Sequence, residues 1–322
     1  MNLINKIFFT ILLLAPSTVV YAQENDLFLV VSPSSPTPNQ SFFVEAKSFV
    51  FDTSRAYFEW FKNGKKIDEG TGILKKTFSG EKMGSEIRIG VSASAEGKLF
   101  SSSVQITAND IDFIINPLTY TPFGYRGSSL ATPGSTVEIY AIPHIFSGGQ
   151  RLNSASLTYE WTLDNSPVQE QSGRGKNKIM ISLPKTTQGE AIITLNVYSS
   201  GKLVAEKRGK ITMYSPQIIF YETNSLLGKS FKAISELVAL PGAQFALAAE
   251  PFFFDFNSIV HGAISWFAGG VKIEPSRAEN LFILELSSPP EEESENKILF
   301  RIEDEKNVFQ NKEGRINIKI QN

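Results

Sequence analysis

Three tryptophans constrain this chain more than any other feature. Trp60, Trp161 and Trp266 are its only Trp residues, and they stand about 100 residues apart, the length of one ordinary small domain. Their settings are alike: Ala56-Tyr57-Phe58-Glu59-Trp60-Phe61-Lys62-Asn63-Gly64, Leu157-Thr158-Tyr159-Glu160-Trp161-Thr162-Leu163-Asp164-Asn165, and Ala263-Ile264-Ser265-Trp266-Phe267-Ala268-Gly269-Gly270. Each is a short aromatic or β-branched run ending in residues that favour a tight turn, the mark of a strand entering a hairpin. A motif met three times at one period signals an internal repeat.

The flanks repeat as well. Upstream, Pro38-Asn39-Gln40, Pro133-Gly134-Ser135 and Pro241-Gly242-Ala243 each open a run of alternating residues. Phe42, Val44 and Ala46 share one face of the first run; Val137, Ile139 and Ala141 share one face of the second; Phe245, Leu247 and Ala249 share one face of the third. Downstream, Ile87, Ile89, Val91 and Ala93 alternate with polar residues, as do Ala191, Ile193, Leu195 and Val197, and Ile298, Phe300 and Ile302. A period of two puts every second side chain on one face, as in a half-buried strand. One more strand closes each repeat, at Val104-Gln105-Ile106, at 209–213 and at 316–320. Helical periodicity is nearly absent, with 230–237 the one candidate for a short helix. Short strands with frequent turns predict an all-β chain of three tandem immunoglobulin-like, Greek-key β-sandwich domains. The expected bounds are 24–109, 110–214 and 215–322.

The start of the chain predicts export. Residues 1–6 carry a positive charge, residues 7–15 are almost wholly apolar, and Val20-Tyr21-Ala22 offers a small-residue cleavage site before Gln23. This is the pattern of a secretory signal peptide covering 1–22, and its apolar run is too short for an ordinary transmembrane helix. No later segment is apolar enough to span a membrane. The chain has no Cys, so each sandwich must be held by its core without a disulfide. Lys and Arg number 31 against 33 Asp and Glu, a net charge of −2; this supplies no basic stripe for nucleic acid and no strong pull toward anionic lipid.

The order of a Pro-Gly-led strand, an aromatic-x-Trp strand and a Val-x-Leu-x-Val-type strand resembles bacterial immunoglobulin-like and polycystic-kidney-disease-type (PKD) domains of the cell envelope. Tyr159-Glu160-Trp161 with Ile193-Thr194-Leu195-Asn196-Val197 carries the resemblance most closely, and at the level of pattern it spans nearly the whole chain after the leader. It implies adhesion, spacing and presentation of partners, rarely catalysis. In such folds a Trp on the central strand packs against the opposite sheet.

Catalytic chemistry finds little footing. There are two His, His144 and His261, read as loop or edge residues, and no Gly-x-Ser-x-Gly elbow. With no Cys and no His-Glu-x-x-His, zinc is not expected. The candidate metal is Ca²⁺ at the first domain junction, where Asn109, Asp110 and Asp112 place hard oxygens at close spacing; Asp52, Asp255 and Asp304 are possible further donors, and a solvated linker is the competing reading. Residues 172–178 form a basic loop and 289–295 an acidic one, both read as solvated.

Two aromatic segments are the candidate partner-binding residues. Phe252, Phe253, Phe254 and Phe256 place four Phe in five positions. A strand buries only alternate side chains, so at least one Phe should meet another domain, a partner or a ligand. Tyr120, Phe123 and Tyr125 lie just after the first junction and pose the same choice. The expected protein is therefore a non-enzymatic exported one, in the periplasm, on the cell surface or outside the cell. It would act as spacer, adhesion or protein-interaction module toward envelope or appendage proteins or glycans. A carbohydrate-binding accessory protein and a secreted hydrolase are the alternatives. The final strand, 315–321, would serve as a docking edge for another strand if it lies at a sheet edge.

Overall fold

The computed structural model describes residues 26–187, 189–224, 226–275, 280–289 and 294–321. The leader at 1–22 and the acids Glu291, Glu292 and Glu293 lie outside the described residues. The chain divides into two compact units. Of the described residues, one holds 26–31 with Phe43–Thr77 and Arg88–Gln105; the other holds Ser32–Phe42, Phe78–Ile87 and those from Ile106 onward.

The described chain is nearly all β, in three sandwiches. The first pairs a three-stranded sheet, ordered Phe28–Ser32, Phe42–Lys47, Lys75–Phe78, with a four-stranded one, ordered Lys65–Thr71, Tyr57–Lys62, Glu86–Ala95, Lys98–Thr107. Within the first unit Val44, Ala46, Phe58, Trp60, Ile89, Val91 and Ala93 are buried, the inward set that alternation requires. In the second sandwich, Lys178–Ser182, Thr136–His144 and Asp110–Pro117 form one sheet. The other is built on Thr158–Leu163, Glu190–Ser199 and Lys202–Thr212. In the third, Gly228–Ile234, Gln217–Asn224, Gln244–Phe252 and Ile283–Ser287 face Glu236–Ala239, Lys312–Ile320, Ser294–Glu303, Ala263–Ala268 and Val271–Ile273. The second and third sandwiches each close on their own apolar cluster, with Trp161 and Trp266 inside.

The three tryptophans do one job three times. Their side chains are 0 to 1 % exposed. Each pairs with the next long strand, Trp60 with Val91, Trp161 with Leu195 and Trp266 with Phe300. Each indole N–H donates to a main-chain carbonyl: Trp60 to Ile73 at 2.8 Å, Trp161 to Lys176 at 2.8 Å, Trp266 to Leu281 at 2.9 Å. In every case the acceptor lies two residues before a strand of the opposite sheet, Lys75–Phe78, Lys178–Ser182 or Ile283–Ser287. The indole thus fills the core and fixes where the facing strand enters it. The hairpin after each Trp strand is equally regular. Asn63 and Gly64, Asp164 and Asn165, and Gly269 and Gly270 all have positive φ, the two-residue turn whose twist matches paired strands and which Asn, Asp and Gly adopt at least cost.

Two expectations are corrected. Residues 230–237 are not helical but belong to the strands Gly228–Ile234 and Glu236–Ala239; pairing with Gln217–Asn224 and with the last strand outweighs weak local propensity. The helix is instead Phe256–His261, where the Asp255 side chain accepts from the Asn257 N–H and Gly262 ends the turn, an N-cap and stop that sequence could have shown. The final strand, Lys312–Ile320, is no free edge strand: Ser294–Glu303 pairs along one side, and Glu236–Ala239 pairs with residues 317–320 on the other. Replacing Trp161 with Phe removes a buried indole N–H and leaves the Lys176 carbonyl unpaired. We expect a loss of about 2 kcal/mol, read as a lower denaturation midpoint at unchanged slope in guanidinium titration.

Candidate functional site at the joint of the second and third sandwiches

The five positions 252–256 do not behave as a plain strand. Gln244–Phe252 ends, and Phe253 takes a left-handed φ of 64°, a conformation disfavoured for a bulky side chain. This breaks the alternation that sequence assumed. Phe252, Phe253 and Phe254 are all buried, and Phe254 at 0 % joins the core of the third sandwich. Phe256 stays half-exposed at the start of the helix.

What covers Phe252 and Phe253 comes from the second sandwich. Tyr125 meets both rings edge-on, at centroid distances of 5.5 and 5.8 Å. Tyr120 packs against Phe256 at 6.0 Å and Phe282 at 6.4 Å. The main chains also join: the Phe253 N–H donates to the Tyr120 carbonyl and the Tyr120 N–H to the Phe254 carbonyl, both at 2.7 Å. Two reciprocal bonds and a bridge between Thr119 and Asp255 make a minimal antiparallel pair across the joint. Of the seven aromatic candidates, only Phe123 takes no part, being fully exposed.

A second set of contacts was not foreseen. Asp255 is buried, and one carboxylate serves both sides: Oδ1 accepts from Asn257 in the helix, Oδ2 from the Thr136 N–H of the second sandwich. Gln310, 0 % exposed, uses its whole amide. Its Oε1 accepts from the Asp255 N–H at 2.7 Å, and its Nε2 donates to Thr132 Oγ1 at 2.9 Å and to the Pro133 carbonyl at 3.0 Å. Asn307 also donates to Pro133, at 3.2 Å. A Cβ on Gly134 would lie 2.3 Å from Asn307 Nδ2, so the Pro-Gly turn is small where the third sandwich presses on it. Burial alone would raise the Asp304 carboxyl, yet hydrogen bonds from Ser258, Lys306 and Asn307 hold it below the usual range. It braces the turn that carries Asn307. A lone Gln or Asn gives no periodic signal in sequence, so only the fold reveals this set.

The candidate metal donors do not converge. Asn109 is buried, donating to the Val204 carbonyl and accepting from the Phe146 N–H. Asp110 faces Lys207 at 3.2 Å, and Asp112 faces His144 at 2.9 Å. Asp255 and Asp304 serve the joint, and Asp52 accepts from Ser54. Among the described residues no group of three or more acidic or His side chains is gathered to hold a metal. The basic loop is tied down too: Ser172 Oγ accepts from the Trp161 N–H and the Lys176 carbonyl from its indole.

These features define a protein built of tandem immunoglobulin-like sandwiches. No family model and no curated protein sequence matches the chain. Among solved structures it is similar to the fibronectin(III)-like modules of Clostridium thermocellum CbhA, at 10 % identity over 58 % of this chain and 94 % of that one, with a TM-score of 0.26. It is similar also to three N-terminal domains of the bacteriophage RB49 Hoc protein, at 12 % identity, 92 % and 99 % coverage, TM-score 0.26. A third is the central fibronectin-III array of RIM-binding protein, at 14 % identity, 92 % and 96 % coverage, TM-score 0.27.

Gln310→Ala strips three hydrogen bonds and strands a buried amide and hydroxyl. The expected cost is about 2–4 kcal/mol, measured by chemical denaturation, while Val308→Ala, at an exposed position on the same turn, should stay within about 0.5 kcal/mol of the parent.

Proposed function

We propose that this is an exported, non-catalytic envelope or surface protein whose second and third sandwiches form one stiff spacer that holds an interaction surface in place. The observation that carries the reading is the joint. Tandem domains move relative to one another unless their interface is extensive. Here main-chain bonds, buried Phe rings and a fully used Gln amide tie two sandwiches together. That investment suits a role in which spacing matters. The aromatic candidates Phe252, Phe253, Phe254, Phe256, Tyr120 and Tyr125 then act as joint residues. The PKD-type resemblance around Tyr159-Glu160-Trp161 agrees with this use.

Export rests on the leader-like residues 1–22. No helix among the described residues is long and apolar enough to cross a membrane. Protease treatment of intact cells tests the placement. The protein should be cut, either in intact cells or once the outer layer is permeabilised, while a cytoplasmic control survives. Protection until the cytoplasm is opened would contradict the proposal.

A further inference from the structure

Among the described residues, five large apolar side chains are nine-tenths or more exposed: Phe49, Phe123, Leu226, Leu227 and Phe231. Single exposed apolar residues need no explanation, but a group does. Three of these five lie on one hairpin of the third sandwich, and a fourth, Phe123, lines the same cleft as one of them, Phe231. Leu226 and Leu227 form the tip of the hairpin joining Gln217–Asn224 to Gly228–Ile234, and Phe231 is on its second strand. Phe123 and Phe231 both line a cleft of about 170 Å³, together with Tyr125, Arg126, Tyr221 and Lys229.

Local structure holds these side chains out. The Asn224 side chain accepts from the Leu226 and Leu227 N–H groups at 2.8 and 3.3 Å, fixing the tip backbone and leaving the side chains free. Along the hairpin Tyr221 pairs with Ala233 and Thr223 with Lys229. Residues 230–232 therefore oppose Glu222 alone. Such a bulge re-aims side chains and interrupts the ladder of an edge strand. It turns Phe231 outward to 100 % exposure. The same interruption disfavours docking of another protein's strand on this edge, which needs a continuous row of main-chain groups.

Charge narrows the occupant. Among the described residues no carboxylate lines the cleft, whereas Arg126 and Lys229 do. Lys232 follows Phe231 directly. Lys229 is paired with Glu250 at 2.6 Å; Arg126 and Lys232 have no carboxylate partner among the described residues. Exposed apolar side chains with two cations near them in the chain or the cleft, Arg126 and Lys232, against the one exposed carboxylate Glu222 opposite residues 230–232, suit an anionic lipid surface. There the Leu and Phe side chains enter the acyl boundary and the cations remain at the headgroups. A bilayer also accepts separate convex tips without demanding the close shape match that a protein receptor requires.

We propose that the described hairpin residues 217–224 and 226–234 and the 122–126 loop together form a membrane-docking tip for anionic lipid. This deepens the envelope reading by naming the surface the spacer contacts, and it rests on that reading only for its biological setting. The test is flotation of the purified protein with vesicles of phosphatidylcholine alone and of phosphatidylcholine mixed with phosphatidylglycerol. The protein should bind the anionic vesicles and bind less as salt rises. Leu226→Ser with Leu227→Ser should weaken partitioning about tenfold or more. Arg126→Glu and Lys232→Glu should each weaken it by about fivefold or more. These side chains are outside the cores, so the melting temperature should not move. Phe49→Ser, equally exposed but in the other unit, should leave binding unchanged. Failure to float with anionic vesicles overturns the proposal, as does equal binding by the leucine variant. A dimer in sedimentation that the leucine variant dissociates, without vesicle binding, would assign the surface to a second copy instead. None of these outcomes bears on protease protection in cells, so the docking tip and the exported spacer stand or fall separately.

Discussion

One interaction recurs and the rest is arranged around it: a buried indole whose N–H bonds a carbonyl just ahead of the opposite sheet. An unpaired buried N–H costs free energy, and an unpaired buried carbonyl costs a similar amount. Bonding the two satisfies both and sets the spacing of the sheets at one point. In a chain with no Cys, this bond takes the place that a cross-sheet disulfide holds in antibody domains. The acceptors Ile73, Lys176 and Leu281 stand 13, 15 and 15 residues after their Trp. The loop between each Trp strand and the facing strand is therefore under a length constraint as well as a chemical one.

The joint builds on that frame with different chemistry. Apolar surface alone would let two sandwiches slide, because burial is not directional. Here the direction comes from hydrogen bonds that need particular atoms: the Asp255 carboxylate shared between Asn257 and Thr136, and the Gln310 amide shared among Asp255, Thr132 and Pro133. The left-handed φ of Phe253 is the strained element. It places Phe253 against Tyr125 and Phe254 in the third core at once.

The strands were legible because period two is a strong signal where one face is buried. The set Ala191, Ile193, Leu195 and Val197 is fully buried, as alternation demands. The turns after each Trp were legible because few residues tolerate positive φ. The 252–256 segment misled because alternation presumes regular strand geometry, which Phe253 abandons. The 230–237 segment misled because its strand is held by tertiary pairing and interrupted by a bulge. Gln310, Asn307 and the second role of Asp255 were invisible, since isolated polar residues carry no pattern until the fold gives them neighbours. The shared cleft of Phe231 and Phe123 was invisible too, as residue 123 is remote from the hairpin in sequence.

The central claim is that the second and third sandwiches are locked into one body, and amide hydrogen exchange measured residue by residue in the whole protein tests it most directly. The account predicts that the amides of Tyr120, Phe253 and Asp255 exchange nearly as slowly as core-strand amides such as that of Leu195. Exchange of those three as fast as the exposed hairpin turn at Ser200-Gly201, with the cores still protected, would show a joint that opens freely and would contradict it.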